Sequence, residues 1–486
     1  MHIVQVNRNY RIDALPDDVL LEIFGFYMNW CYSKFKEKRS VEAWQSLIHV
    51  CRRWRSVVFL SPRRLDLRLF CSNLKIRFRT SQTLARDTLD VWPDFPLIVH
   101  GYLLITSLSG DSVRIISALR RTNRVCEVDI GVDPRGSEQW EEVLTAMEVP
   151  FPILRRLKLG PFPKVVPLSI LIPDTFLGGS APRLRYLELE YISFPGIPKL
   201  LLSATHLVHL HLRCIPHSGY ISPEAVATCL SVLISLNTLS LGFESPLSFP
   251  DWESRSLSPP KRYILTALHR FDFRGVTEYL EGLVIRIDAP QLNRMCITFF
   301  NQIDFDCPRL AQFINCTPAL RALDKAYVGL GGDFPRVTLG HYKLAISVSC
   351  IKPDWQLSSI EQVCNSSLPP LSTVEDLYIE KHSLEQFWEN DAIENALWLR
   401  LLLPFTAVKN LYLSEVFAPY IAAALQELVG ERIAEVLPSL ENIFVGRYKR
   451  SGPVHKNIWR FVAARQLSGH IIAISLWRMD TWTPYR

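Results

Sequence analysis

A chain of 486 residues that is 48% hydrophobic and 21% charged holds enough apolar material for a large core and has the charge content of an ordinary globular protein. A net charge of +6 with a pI near 8.7 is mild for a dedicated nucleic-acid binder. No apolar run approaches the roughly 18–20 residues that cross a bilayer.

The N-terminal stretch MHIVQVNRNYRIDALPDD lacks the apolar core of a secretory signal, so cytoplasm or nucleus is the expected compartment. The 11 cysteines run from Cys31 to Cys364 with no CxxC pair, which argues against a disulfide framework and a zinc finger. No metal and no cofactor is expected.

Leu15-Pro16-Asp17-Asp18 is a helix start: proline at the first helical position loses no needed N–H, and two acids sit at the positive end of the helix dipole. Val19, Leu20, Ile23, Phe24 and Tyr27 then form adjoining apolar stripes at spacings of three and four. So wide an apolar surface on one helix needs two neighbours. A second helical pattern, Trp44, Leu47, Ile48, Cys51, Trp54 and Val58, stops at Ser61-Pro62.

The order LPDDVLLEIF, then Leu47, VCRRW over residues 50–54 and SPR resembles an F-box, the module that docks onto a Skp-type adaptor of cullin–RING ubiquitin ligases. The resemblance implies an N-terminal three-helix F-box over residues 1–60. It assigns Leu15, Pro16, Val19, Leu20, Ile23, Phe24, Trp44, Leu47, Val50 and Trp54 jointly to adaptor binding and to the helical core. Phe24 and Trp44 are separated by residues 25–43, a longer spacer than in a compact F-box, carrying Lys34, Lys36, Lys38 and Arg39. It either extends the first helix or loops over the docking face. SPRRLDLRLFC and later segments are similar to a large fungal family of F-box proteins with degenerate leucine-rich repeats.

Basic residues cluster at Arg52, Arg53, Arg55, Arg63, Arg64, Arg68, Lys75, Arg77 and Arg79. An acidic partner or a phosphate backbone would suit them; a solvated face is the reading favoured, because no aromatics interleave as in single-strand binders.

Residues 61–124 read as a junction with first irregular repeats, Leu65-Leu67-Leu69 and Leu97-Ile98-Val99. Over residues 125–450 a spacing of apolar, two residues, apolar, one residue, apolar recurs. The units are Val125-Val128-Ile130, Leu154-Leu157-Leu159, Leu184-Leu187-Leu189, Leu207-Leu210-Leu212, Leu236-Leu239-Leu241, Leu268-Phe271-Phe273 and Leu292-Met295-Ile297. A weak Leu320-Leu323 comes next, then Val374-Leu377-Ile379, Val408-Leu411-Leu413 and Leu440-Ile443-Val445, with Tyr342-Leu344-Ile346-Val348 supplying a missing strand. The period of 23 to 34 residues lies at or above that of leucine-rich repeats, and the usual turn asparagine is missing. Helices are expected between strands: PKLLLSA, TEYLEGLVI, PRLAQFI, a Ser222-Pro223-Glu224 start before AVATCLSVL, and AAALQELVG ending on Gly430.

The expected architecture is α/β: a three-helix F-box, then a leucine-rich-repeat-like solenoid with parallel strands on its concave side and helices and loops on its convex side. Residues 451–486, NIWRFVAARQ and HIIAISLW, would cap it. Residues 245–261, with four prolines and five serines, read as an inserted loop, and GLGGDFP over residues 329–335 as a turn rather than a phosphate loop.

No GxSxG, HExxH, GxGxxG or kinase signature occurs, so no enzymatic activity is expected. Residues between the inward positions nominate a binding wall: Arg156, Lys158, Tyr186, Glu188, His209, His211, Arg270, Asp272, Tyr378 and Tyr412, with Thr238, Ser240, Asp376, Asn410, Asn442 and Phe444. Mixed charges and aromatics suit a protein partner better than a membrane or nucleic acid, and the pair His209–His211 reads as polar contact surface rather than zinc ligands. The expected function is a substrate receptor, with Skp-type adaptor, cullin and a target protein as partners. A repeat scaffold without a ligase is the alternative, and nucleic-acid binding through residues 52–79 a third reading.

Overall fold

A computed structural model describes residues 15–35, 43–72, 93–104, 109–133, 135–162, 170–248, 261–300, 305–321, 323–350, 353–366, 371–381, 395–428, 432, 434–446 and 453–477. Two compact units divide at Tyr186 and Leu187. The division falls within the stretch 125–450 expected as a solenoid.

The first unit opens with α1 (Asp17–Phe35), α2 (Trp44–Ile48) and α3 (Arg52–Leu60). The spacer's first part thus extends the helix; residues 36–42 lie outside the described residues. Leu20, Leu21, Phe24 and Met28 of α1 are buried with Trp44, Leu47 and Ile48 of α2 and Val57 and Val58 of α3. Cys51 caps α3 by accepting the Trp54 amide at its Sγ, 3.4 Å away, and the Trp54 ring packs on Phe24 at 4.7 Å. Trp44 ties this helical cluster to the strand region through Phe95, 5.5 Å away.

Next come β1 (Leu69–Ser72), β2 (Leu97–Leu103), α4 (Ser109–Leu119), β3 (Val125–Val132), α5 (Ser137–Ala146), β4 (Arg156–Pro161) and the short β5 (Ile170–Leu171). β1 to β4 are parallel, with Leu69 beside Leu97, Val99 beside Val128 and Val128 beside Leu157. Apolar residues are therefore stacked in columns, and each strand covers the apolar side of its neighbour.

In the second unit, β6 (Tyr186–Glu190), β7 (Ile192–Ser193), α6 (Ile197–Ser203), β8 (His209–Ile215), α7 (Pro223–Leu230), β9 (Thr238–Phe243), β10 (Tyr263–Ile264), β11 (Arg270–Gly275), α8 (Thr277–Val284), β12 (Ile287–Asp288), β13 (Arg294–Phe300) and α9 (Pro308–Cys316) continue the alternation. Ser222 caps α7, its hydroxyl accepting the Ala225 amide, and Pro223 takes its first turn, as the sequence expects. Neighbouring helices cap each other: the Arg309 and Leu310 amides at the start of α9 donate to the Glu281 carboxylate on α8 at 3.0 and 2.6 Å. Tyr279 of α8 is fully buried against Phe243 and Phe273 of the strands, its hydroxyl donating to the Ile221 carbonyl at 2.8 Å. The core is the layer between strands and helices; the other, open face of the sheet is lined by side chains that are half-buried on β8 and β11 and buried on β9.

The chain then departs from the expected order. β14 (Lys325–Leu330), β15 (Arg336–Leu339) and β16 (Leu344–Ser349) form an antiparallel insertion in which the later strand, β16, pairs with β13. β14 pairs instead with β17 (Asp376–Lys381), beyond α10 (Pro353–Asn365). The expected unit Leu320-Leu323 is out of phase by three: Leu323, Ala326 and Val328 hold the inward positions. GLGG is the turn from β14 to β15, with Gly331 and Gly332 at φ of 93° and 76°, where a side chain would be strained.

α11 (Asn395–Leu402), β18 (Asn410–Leu413), α12 (Ala418–Gln426), β19 (Asn442–Gly446), α13 (Pro453–Leu467) and β20 (Ala473–Trp477) complete the unit, with β17 to β20 parallel. α12 starts earlier than expected and ends at Gln426, while Gly430 and most of the 245–261 loop lie outside the described residues. Among the described residues no helix is long and apolar enough to cross a membrane.

Candidate functional site

Two surfaces are candidates for contact. The first is on α1. Its buried stripe leaves an opposite one at the same helical spacing: Val19, Ile23, Phe26 and Trp30 are 42, 43, 72 and 50% exposed. Four large apolar side chains in one row on a surface helix form a patch of the kind that marks an interaction site. Pro16 and Val50 (59%) are exposed too. Arg53 braces the start of the helix, reaching Asp17 at 2.6 Å and the Leu15 carbonyl at 2.5 Å, and Arg64 bonds Glu22 at 2.5 Å.

This geometry divides the expected adaptor-binding set. Leu20, Phe24, Trp44 and Leu47 are buried and lie in the core half of that joint assignment. Leu15 and Trp54 are half-buried, and Pro16, Val19, Ile23 and Val50 face solvent. Phe26 and Trp30 were missed, although they continue the Val19–Ile23 row by the same three-and-four spacing. Part of the basic segment is engaged within the chain: besides Arg53 and Arg64, Arg68 pairs with Asp66 and Glu127 and Arg55 donates to the Ile48 carbonyl at 3.2 Å, while Arg52 and Arg63 are exposed. Lys75, Arg77 and Arg79 lie outside the described residues.

The second surface is the open sheet face. In the first unit Arg156 lies 3.7 Å over the Tyr186 ring, with half-buried Lys158 two residues on. In the second unit Arg270 and Asp272 pair at 2.8 Å. Glu188, expected to be a contact residue, is buried with Arg213 3.5 Å away, and Thr238 and Ser240 are buried as well. His209 and His211 stack at 6.4 Å with rings 6° apart. Among the described residues no three His, Cys, Asp or Glu side chains gather as a metal site.

Burial, with Arg213 nearby, holds the His211 imidazole neutral down to about pH 4. The unfolded ring protonates near pH 6.5, so on acidification the unfolded state takes up the proton first. Stability is therefore expected to fall between about pH 6.5 and 4. His211→Gln should remove about 1–2 kcal/mol of that loss, discounted for the exposed part of the ring. Urea midpoints at pH 7 and 4.5 check this, and equal acid sensitivity in variant and wild type would refute it.

A regular part of the open face spans β14 and β17 to β19. Tyr327, Tyr378, Tyr412 and Phe444 are register partners, stacked at 4.5, 4.2 and 4.5 Å with rings 7–15° apart. One row earlier, Asn442 donates to Asn410 at 2.8 Å, Asn410 to Asp376 at 2.7 Å, and Lys325 lies 3.4 Å from Asp376. Trp477 of β20 crosses over Tyr378 and Tyr412 at 5.9 and 5.5 Å. Parallel strands in register place identical positions about 4.8 Å apart, close to the stacking distance of aromatic rings. The sequence nominated Tyr378, Tyr412 and Phe444; it missed Tyr327, through the phase error in β14, and Trp477.

No protein-family model matches the chain, and no curated protein matches it. Among solved structures it is similar to the leucine-rich repeat-containing protein LegL7 from Legionella pneumophila, at 12% identity and a TM-score of 0.27, over 74% of this chain and 97% of that one. The repeats here are leucine-rich-repeat-like. Strand register and the stacked apolar columns carry that statement, and the likeness adds nothing to it. Repeats of this form present a broad, fixed, polar and aromatic face suited to holding another protein.

Proposed function

We propose that this chain is the substrate-recognition subunit of a cullin–RING ubiquitin ligase. Its N-terminal helices would act as an F-box that docks a Skp-type adaptor, and through it a cullin, while the open sheet face holds a target protein. The observation that carries the reading is the exposed row Val19, Ile23, Phe26 and Trp30 on a helix whose opposite side is already buried. Such a row is satisfied by a second apolar surface. On this reading the chain catalyses nothing; it raises the effective concentration of a target lysine beside the charged conjugating enzyme.

The test is binding of the purified chain to a Skp-type adaptor. Val19→Asp with Ile23→Asp should weaken binding by at least about 100-fold, since two apolar anchors of about 1.5–3 kcal/mol each are lost. Both positions are exposed, so the circular dichroism spectrum should not change. Failure of the folded wild type to bind, or equal binding by the double variant, leaves a repeat scaffold without a ligase.

A further inference from the structure

The open face also indicates what kind of target it takes. Glu380 comes after Asp376 and Tyr378 on β17 at two-residue spacing, so all three project from the open face. Three other acids in and beside the second unit's open face have cations: Asp376 has Lys325, Asp272 has Arg270 and Glu188 has Arg213. Among the described residues Glu380 makes no ion pair and no hydrogen bond. Its register partner on one side is Gly329, which has no side chain to fill the space beside it. Arg336 pairs with Gly329 from β15, and its guanidinium lies 5.6 Å over the Tyr342 ring.

We infer that Glu380 is a socket for a basic side chain: its carboxylate receives the ammonium or guanidinium of a lysine or arginine on a target protein, whose stem lies along the edges of Tyr378 and Tyr412 beside Trp477. Burial raises the Glu380 pKa, so the lone carboxylate carries a desolvation cost that a cation relieves. The stacked rings of Tyr378 and Tyr412 give the apolar stem of such a side chain a surface to lie on while its charged head reaches the carboxylate. A phosphate would meet an uncompensated carboxylate here. A metal ion would find one acid where several oxygens are needed. The inference rests on the receptor reading for its biological setting, but the socket itself does not depend on adaptor docking.

The experiment selects random decapeptides displayed on beads against the full chain, then measures each winner by fluorescence polarisation. Winners are expected to share a lysine or arginine, and Glu380→Gln should weaken them at least about tenfold. Replacing that residue in the peptide with citrulline or norleucine should cost as much in wild type and nothing further in Glu380→Gln, the coupling expected of a direct pair. Winners without a shared basic residue, no winners at all, or equal binding by Glu380→Gln would overturn the inference. The variant should fold at least as well as wild type at pH 7, because an amide replaces a half-buried charge, and urea midpoints verify that. Adaptor binding by Glu380→Gln should be unchanged. A chain that takes basic peptides but no adaptor keeps the socket and loses the ligase.

Discussion

Gln356→Leu is expected to destabilise the second unit by about 3–5 kcal/mol, with opening concentrated in β14 to β16. Gln356 of α10 is fully buried. Its amide oxygen accepts the Gly331 N–H at 2.9 Å, and its amide nitrogen donates to the carbonyls of Gly332 at 2.7 Å and Cys350 at 3.2 Å. These three bonds fix the left-handed glycine turn and the exit of β16 together. Leucine nearly fills the same volume but strands three backbone groups in a dry interior, each worth about 1–3 kcal/mol. Denaturant unfolding gives the total, and amide hydrogen exchange over β14 to β16 locates it. A loss below about 1 kcal/mol would mean that other groups can satisfy the turn. Because β14 carries Tyr327 and Gly329, the aromatic stack and the Glu380 socket depend on this clamp.

That clamp also marks where reading the sequence stops working. Leu184-Leu187-Leu189 or Leu236-Leu239-Leu241 declares both a strand and its inward face, because alternation within a strand is local. Which strand lies beside which is not local. GLGG is legible as a turn, but nothing in the spacing says that it turns the chain antiparallel and makes β16, rather than β14, the neighbour of β13. The same limit holds on α1. Leu20 and Phe24 are buried while Val19 and Ile23 are exposed, yet both pairs have the same chemistry and the same helical spacing. The helix reveals two apolar stripes, and only α2 and α3 decide which is covered. Glu380 and Asp376 are likewise equivalent in sequence; what separates them is Lys325, 51 positions away from Asp376, which reaches one and not the other.

Trp44→Ala tests that division at the N-terminus and is expected to cost the first unit about 3–5 kcal/mol. The side chain is fully buried, with edge contacts to Phe59 at 6.2 Å and Phe95 at 5.5 Å, and its indole N–H donates to the Arg68 carbonyl at 3.0 Å. Truncation leaves a cavity and deprives that carbonyl of its donor at the point where the helices join the strands. Trp44→Phe keeps most of the volume and loses the hydrogen bond, so about 1–2 kcal/mol is expected. Adaptor binding should track the folded fraction in both variants, since Trp44 touches only the chain's own core. In Val19→Asp with Ile23→Asp it should be lost with the fold intact. Near-ultraviolet circular dichroism alongside adaptor titration separates the two cases. If Trp44→Ala stays fully folded and still fails to bind, Trp44 belongs to the docking face after all, and the exposed row on α1 is only part of it.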